Sequence, residues 1–367
     1  MIKSKIIIIF LAVLILPYFV YAQTENEPSD EFFVAEVIEV IKEQESVLAD
    51  GKKAKQQNLL LKGLEEPFLG QEFSHIGIDE IDVISKNIYD KGDKVLVVAS
   101  YDDKGESRFY ITDYVRTNSM LYLLFVFVAC LLIVGRTKGL RALISLALTF
   151  LVIIKYIIPQ ILAGTSPFLT TLFGSIIILL VIIYITEGFK ARSHLAVLSI
   201  FICLFITIVI STLFVSLTKL TGVASEEISF LFYIGEQAIN FKGLLLAGII
   251  IGTLGVLDDV VISQIATVEQ IAKANPAFGM RELFKRGQKV GVSHIASMSN
   301  TLFLAYAGVS LPLLLLFVSG ESAFSSWGQI INNEAIATEI VRTLSGSIGL
   351  ILAVPIATII SAKFYSN

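Results

Sequence analysis

The sequence predicts an α-helical polytopic membrane protein, with about seven transmembrane helices after a signal peptide and a small extracytoplasmic β domain. Three observations predict it. Hydrophobic residues make up 55% of the chain and charged residues only 16%, against roughly 25% charged in a soluble domain. Seven apolar runs approach the length of about 20 residues that a membrane-spanning helix needs. Between the N-terminus and the first of these runs lies one polar, strand-rich region.

The first element is MIKSKIIIIFLAVLILPYFVYAQ. Lys3 and Lys5 form a charged start, Ile6 to Leu16 an apolar centre, and Val20 and Ala22 suit the positions before a cleavage site. Residues 1–22 therefore read as a signal peptide or an uncleaved anchor. Either one sends the next segment of chain across the membrane. Residues 23–30 are polar and read as a linker.

Residues 31–116 hold short runs rich in β-branched and aromatic residues: FFVAEVIEV, NLLLKG, KVLVVAS and RFYITDYV. Turn signals such as DGKK and YDKGDK separate them. A region of this size predicts a small barrel or sandwich, with an OB-like barrel among the options. It contains no catalytic constellation, and His75 reads as a surface or loop residue. Residues 23–117 carry 11 basic and 21 acidic side chains, whereas the whole chain has a net charge of −4, so the remainder is basic. No basic stripe exists, and nucleic-acid binding is not expected. Cys130 and Cys203 both fall in apolar runs, where they read as small buried side chains rather than a disulfide or metal set.

The membrane region, residues 119–363, contains apolar runs at about 119–135, 138–158, 168–186, 195–218, 243–264, 296–318 and 339–361. Basic residues cluster in alternate connections: Arg136, Lys138 and Arg141; then Lys190 and Arg192; then Lys273, Arg281, Lys285, Arg286 and Lys289; and finally Lys363. The fourth connection carries Glu226, Glu227 and Glu236, and the sixth is also acidic. By the positive-inside rule this predicts a bacterial plasma-membrane protein with residues 31–116 outside and the C-terminus in the cytoplasm. Lys155 and Arg342, near the outer ends of their runs, are expected to snorkel.

The fifth run contains GTLGVLDDVVISQ, in which Asp258 and Asp259 interrupt an apolar stretch. Gly248, Gly252, Gly255, Asp259 and Ser263 follow steps of three and four, which place them on one helical stripe. Gly308 on the sixth run, and Gly346 and Gly349 on the seventh, belong to similar stripes. Small stripes allow close helix approach in membranes, so these glycines are expected to pack the last three spans into the bundle centre. That would turn Asp259 inward and leave Asp258 at the stripe's edge. Ser297, Asn300 and Thr301 are expected at a similar depth. The acids then read either as an ion, proton or substrate site, or as helix-capping or interfacial residues.

Enzyme chemistry finds little support. Two acids on adjacent positions of one helix diverge, unlike a carboxylate dyad shared across a substrate bond. The three histidines lack metallopeptidase spacing, and no metal or cofactor is expected. Two readings remain. One is a small-solute or ion permease using Asp259 and Asp258, with Asn300, Thr301 and Ser297 as polar neighbours. The other is a non-transporting scaffold or sensor whose residues 31–116 bind an extracytoplasmic partner.

Three long blocks, GIIIGTLGVLDDVVISQIATVEQI, LFKRGQKVGVSHIASMSNTLFLAYAGVSLPLLLLF and EIVRTLSGSIGLILAVPIAT, resemble the YibE/F-like family of bacterial membrane proteins. The resemblance extends from about residue 85 to the end. It implies a multi-pass membrane protein with an extracytoplasmic β domain, and no settled substrate or reaction. The recurrent family features fall on Gly252, Gly255, Asp259, Asn300, Thr301, Tyr306, Gly308, Pro312 and Pro355. Where members of the family often carry an Arg-Asp pair ahead of His294, this chain has Val292 and Ser293. Any charge relay through that pair would be altered here.

Overall fold

The computed structural model describes residues 31–47, 53–78, 87–101, 107–224, 228, 239–319 and 326–366. The expected signal peptide, the linker and Glu226, Glu227 and Glu236 lie outside the described residues. The chain divides into two units that meet in sequence near Leu131.

The first unit is built on an antiparallel sheet of β1 (Glu31–Val47), β2 (Lys53–Gly63), β3 (Glu72–Ile76), β4 (Lys94–Tyr101) and β5 (Ser107–Tyr114), in the order β3-β2-β1-β4-β5. Period-two burial explains the strands. Phe33, Ala35 and Val37 of β1 face the same core as Leu59 and Leu61 of β2 and Val95, Val97 and Ala99 of β4. Irregular register between Val37 and Glu39, and again between Val40 and Lys42, bends β1. The two edge strands approach each other: the Phe73 and Phe109 rings lie 4.3 Å apart, and His75 Nδ1 donates to the Phe109 carbonyl at 2.9 Å. His75 is thus a buried residue of β3, not a surface residue, because it joins strand edges that the linear sequence keeps apart. Gln57 plays a similar part on β2. Its amide accepts from Tyr89 N (2.8 Å) and donates to Tyr89 O (3.1 Å).

Beyond the core, the β1–β2 ribbon continues with Ile41–Glu45 exposed. Lys55 Nζ donates to Glu43 Oε1 at 2.6 Å there. That bond first, and a second from Gln57, hold the Glu43 carboxyl below the ordinary glutamate range, while the same contact raises Lys55. The Glu43 contribution is complete above the ordinary value of 4.5 and is lost as pH falls through the lowered one. The Lys55 contribution is complete below 10.5 and is lost as pH rises through the raised value. Protection of the ribbon-end amides, taken relative to the intrinsic exchange rate, is therefore expected to fall in acid, and Glu43→Gln to remove that acid dependence. An unchanged acid response in the variant would rule the pair out as its source.

The second unit is helical. Helix α1 (Thr117–Val152) is broken at Arg136, whose φ of 48° and ψ of −128° are non-helical. The break falls where the first two apolar runs were expected to separate. A π-helical turn (Ile153–Ile157) leads into α2 (Ile158–Leu162), with Pro159 near its start. A wide turn accommodates a proline that cannot donate to the preceding turn. Next in the chain are α3 (Pro167–Thr186), α4 (Ala191–Leu217), α5 (Phe241–Ala274), α6 (Met280–Val309), α7 (Leu311–Val318), α8 (Trp327–Ile331) and α9 (Glu334–Tyr365).

Among the described residues, five helical segments are long and apolar enough to cross a membrane: Thr117–Leu162, α3, α4, α5 and α9. A sixth is added if α6 and α7, bent by 67°, form one span. The chain has the structure of a membrane protein. Its helices overrun the apolar runs. The fifth connection, expected to be a long basic loop, is helical except at residues 275–279. Leu283 of α6 is buried against Val268 and Ala362, and Lys273–Glu269 and Arg286–Glu282 ion pairs, both 2.6 Å, support the exposed faces.

The bundle centre also differs from expectation. It is formed by α3, α4, α5 and α9, with Val152, Ile157 and Ile161 from the end of α1, the π-helical turn and α2, while α6 is mostly exposed. The reason is visible on α4, where Ser193, Ala196, Ser199, Cys203, Thr207 and Ser211 are all buried. These small residues recur at helical spacing on a run otherwise rich in Leu, Ile and Phe, and they let α4 approach α5 and α9. Cys203 belongs to this core, whereas Cys130 on α1 is exposed.

Candidate functional site

Asn240 caps α5, its side chain accepting from Gly243 N at 2.9 Å. From there one broad face is packed: Ile250, Leu254, Leu257, Val261, Ile265 and Val268 are buried. Large apolar side chains, rather than the glycines, fill the space against neighbouring helices. The small-residue stripe lies on the other side. Gly248 and Gly255 are exposed, and a β-carbon on either would meet nothing within 4 Å. Gly308 on α6 is equally open. The expected packing role does not extend to these three. It holds geometrically at Gly252, beside the Tyr306 hydroxyl, at Gly346, beside Thr253 and Leu302, and at Gly349, beside Thr207.

The acids follow their faces. Asp259 is exposed and Asp258 partly buried within the single chain, the reverse of the expected order. Neither carboxylate forms an ion pair among the described residues. Helix α6 meets α5 at two levels. One is Gly252 with Tyr306. The other is Gln264, whose Nε2 donates to the Gly287 carbonyl at 2.9 Å, and which adjoins Gly291. Asp259 lies between the α5 contacts, and Ser297, Asn300 and Thr301 lie between the α6 contacts. The antiparallel pairing therefore places all four at one level of the unit. All four are exposed. Thr301 Oγ1 donates to the Ser297 carbonyl at 3.0 Å, a bond within α6 rather than one to an acid. Among the described residues, no group of three or more His, Cys, Asp or Glu side chains is placed to hold a metal ion.

Arg342 does not simply snorkel. On α9 its Nη1 donates to Glu339 Oε1 at 2.8 Å, and both side chains are partly buried. They line a cavity of about 960 Å³ shared with α5, α6 and α7. Sequence reasoning missed this pair as a site. The i, i+3 spacing of Glu339 and Arg342 was the available signal, but such pairs are commonplace on exposed helices.

An antiparallel sheet followed by a bundle of membrane-length helices defines a polytopic membrane protein. The model of the YibE/F-like protein family matches residues 123–367, and the chain belongs to that family. The match covers the helical region; residues 85–122, where the resemblance was also expected, lie outside the matched stretch. No curated protein and no solved structure matches the chain.

Proposed function

We propose that this chain is a small-solute or ion permease of a bacterial plasma membrane, with Asp259, and secondarily Asp258, as the coupling or binding acid. The observation that carries the reading is the exposure of Asp259 on α5, a helix long and apolar enough to span. A carboxylate facing lipid would cost a few kcal/mol by insertion scales and more by simulation. That surface therefore calls for water or protein rather than lipid, and Ser297, Asn300 and Thr301 give the same level of α6 a polar face. The proposed topology has seven spans. The break at Arg136, within a cluster of basic residues, supports separating the first two, and the charges of the connections support residues 31–116 outside and the C-terminus inside. For the β domain, the approach of β3 to β5 gives the neighbour order β1-β2-β3-β5-β4, which supports an OB-like barrel.

The test is flux into liposomes containing the reconstituted full chain, under imposed proton, sodium or potassium gradients. Wild type is expected to carry one of these ions, and Asp259→Asn to reduce its flux by roughly tenfold or more while melting like wild type. Equal flux in the two proteins would overturn the reading. The alternative, a scaffold or sensor, draws on the exposed β1–β2 ribbon as a surface for an extracytoplasmic partner. It predicts no flux in wild type and loss of the partner when residues 31–116 are deleted.

A further inference from the structure

The first third of α6 is charged, and one face of it stands open. Arg281, Lys285 and Lys289 follow steps of four and are all exposed. At 3.6 residues per turn they fall within roughly 80° of one another, in a row about 12 Å long. The acids nearby are already engaged. Glu282 pairs with Arg286 and Glu269 with Lys273, both at 2.6 Å. Arg286 is further committed to the Phe278 ring, 4.5 Å from its centroid. Among the described residues, Arg281, Lys285 and Lys289 form no ion pair. The row therefore carries a surplus of positive charge.

The same face changes character as the helix continues. Val292, Ala296 and Phe303 fall in the same sector of roughly 80°. All three are exposed, Val292 by 54% and Phe303 by 45%. Ser299, half-buried, lies at the sector's edge. The packed residues Gly287, Gly291 and Leu302 lie on the other side of the helix, so this face is turned away from the bundle. With α7, α6 is long and apolar enough to form one membrane span. One open face thus presents basic side chains first and apolar surface directly after them.

That order selects the occupant. An anionic phospholipid has the same order, a charged phosphate and then acyl chains. Arg and Lys give a phosphate strong charge-assisted hydrogen bonds, and basic residues beside a membrane span attract anionic headgroups. A lipid without net charge would leave the surplus of the row unbalanced. An acidic peptide would match the row, but it would not account for Val292 and Phe303 continuing the same face into the span.

We propose that this face of α6 is a docking surface for an anionic phospholipid, with Arg281, Lys285 and Lys289 facing its headgroup phosphate and Val292, Ala296 and Phe303 its acyl chains. The claim stands whether or not the chain transports, and whichever way it is oriented in the membrane.

The test is native mass spectrometry of the full chain, released from detergent micelles that hold equal amounts of dioleoyl phosphatidylglycerol and dioleoyl phosphatidylcholine. The first lipid retained is expected to be phosphatidylglycerol, by roughly tenfold or more. The triple variant Arg281→Gln/Lys285→Gln/Lys289→Gln should lose this preference. The control Lys42→Gln/Lys62→Gln/Lys94→Gln removes the same charge from exposed positions of the sheet unit and should keep it. Glycerol 3-phosphate, added at the lipid concentration, carries the phosphate without the chains and should not displace the lipid. Should the triple variant fail to fold, Lys285→Gln alone decides: a reduced preference supports the surface, and an unchanged one overturns it. No preference in wild type, or a preference kept in the folded triple variant, overturns the proposal. So does a preference lost in the control, which would make net charge the cause, or displacement by glycerol 3-phosphate, which would make free phosphate the ligand.

Discussion

Gly291→Val is expected to prevent stable assembly of the helical unit. A β-carbon at Gly291 would lie 2.9 Å from Gln264 Oε1 and 3.0 Å from its Nε2, and would intrude on the Val354 methyl Cγ1. These neighbours are side chains of α5 and α9, so Gln264 and Val354 must both give way to a side chain on α6. Overpacking of this kind costs about 1–3 kcal/mol or more. Gln264 adds to it. Its Nε2 donates to the Gly287 carbonyl at 2.9 Å and to Thr358 Oγ1 at 2.7 Å, while Thr358 donates onward to the Val354 carbonyl at 2.6 Å. Displacing a buried amide from such partners costs roughly a further 1–3 kcal/mol. Thermal melting in detergent, combined with size-exclusion chromatography, should show a large loss of folded protein. Gly248→Ala is the control, since its β-carbon meets nothing within 4 Å. Equal melting of the two variants would show that Gly291 does not mark a close crossing.

Phe33→Ala is expected to destabilise the sheet unit by about 3–5 kcal/mol. Phe33 is fully buried. Its ring lies 4.5 Å from Phe68, 5.4 Å from Phe73 and 6.0 Å from Phe109. Strand β1 is hydrogen-bonded on both sides, which leaves the backbone little freedom to collapse into the void. Phe32 points to the opposite face and is 62% exposed, so Phe32→Ala should change stability by less than about 0.5 kcal/mol. Hydrogen exchange of β1 and β4 amides in the full chain would measure both. Similar protection in the two variants would mean that the aromatic cluster is not the centre of that core.

Much of the architecture is legible in the sequence. Apolar runs located the membrane helices, and the basic cluster at Arg136, Lys138 and Arg141 coincides with the break in α1. Short β-branched and aromatic runs between turn signals placed β1, β2, β4 and β5 close to their observed positions. What was not legible was long-range. His75 looked like a loop residue because its partner, the Phe109 carbonyl, is more than thirty residues away. The helical connection from α5 into α6 was hidden by its charges, which suggest a loop until Leu283, Gly287 and Gly291 are seen to be buried. The Ser/Thr stripe of α4 was overshadowed by the larger side chains around it.

The candidate site was legible in part. The level shared by Asp259, Ser297, Asn300 and Thr301 follows from helix length and direction. Which way Asp259 faces does not. Two stripes on α5 are both compatible with a helical period, one of glycines and one of large apolar residues, and either could have been the packed face. The cavity beside Arg342 was invisible because it depends on the bend between α6 and α7.

By itself the sequence determined that this chain is a membrane protein with an N-terminal strand-rich region, because hydrophobic run length, β-branched runs and turn residues are local properties set by the bilayer and by backbone geometry. Only the tertiary structure decided that α4 rather than α6 completes the bundle centre, that Asp259 lies on the open side of α5, and that Glu339 and Arg342 face a cavity. Those outcomes depend on how side chains from distant segments fill shared space.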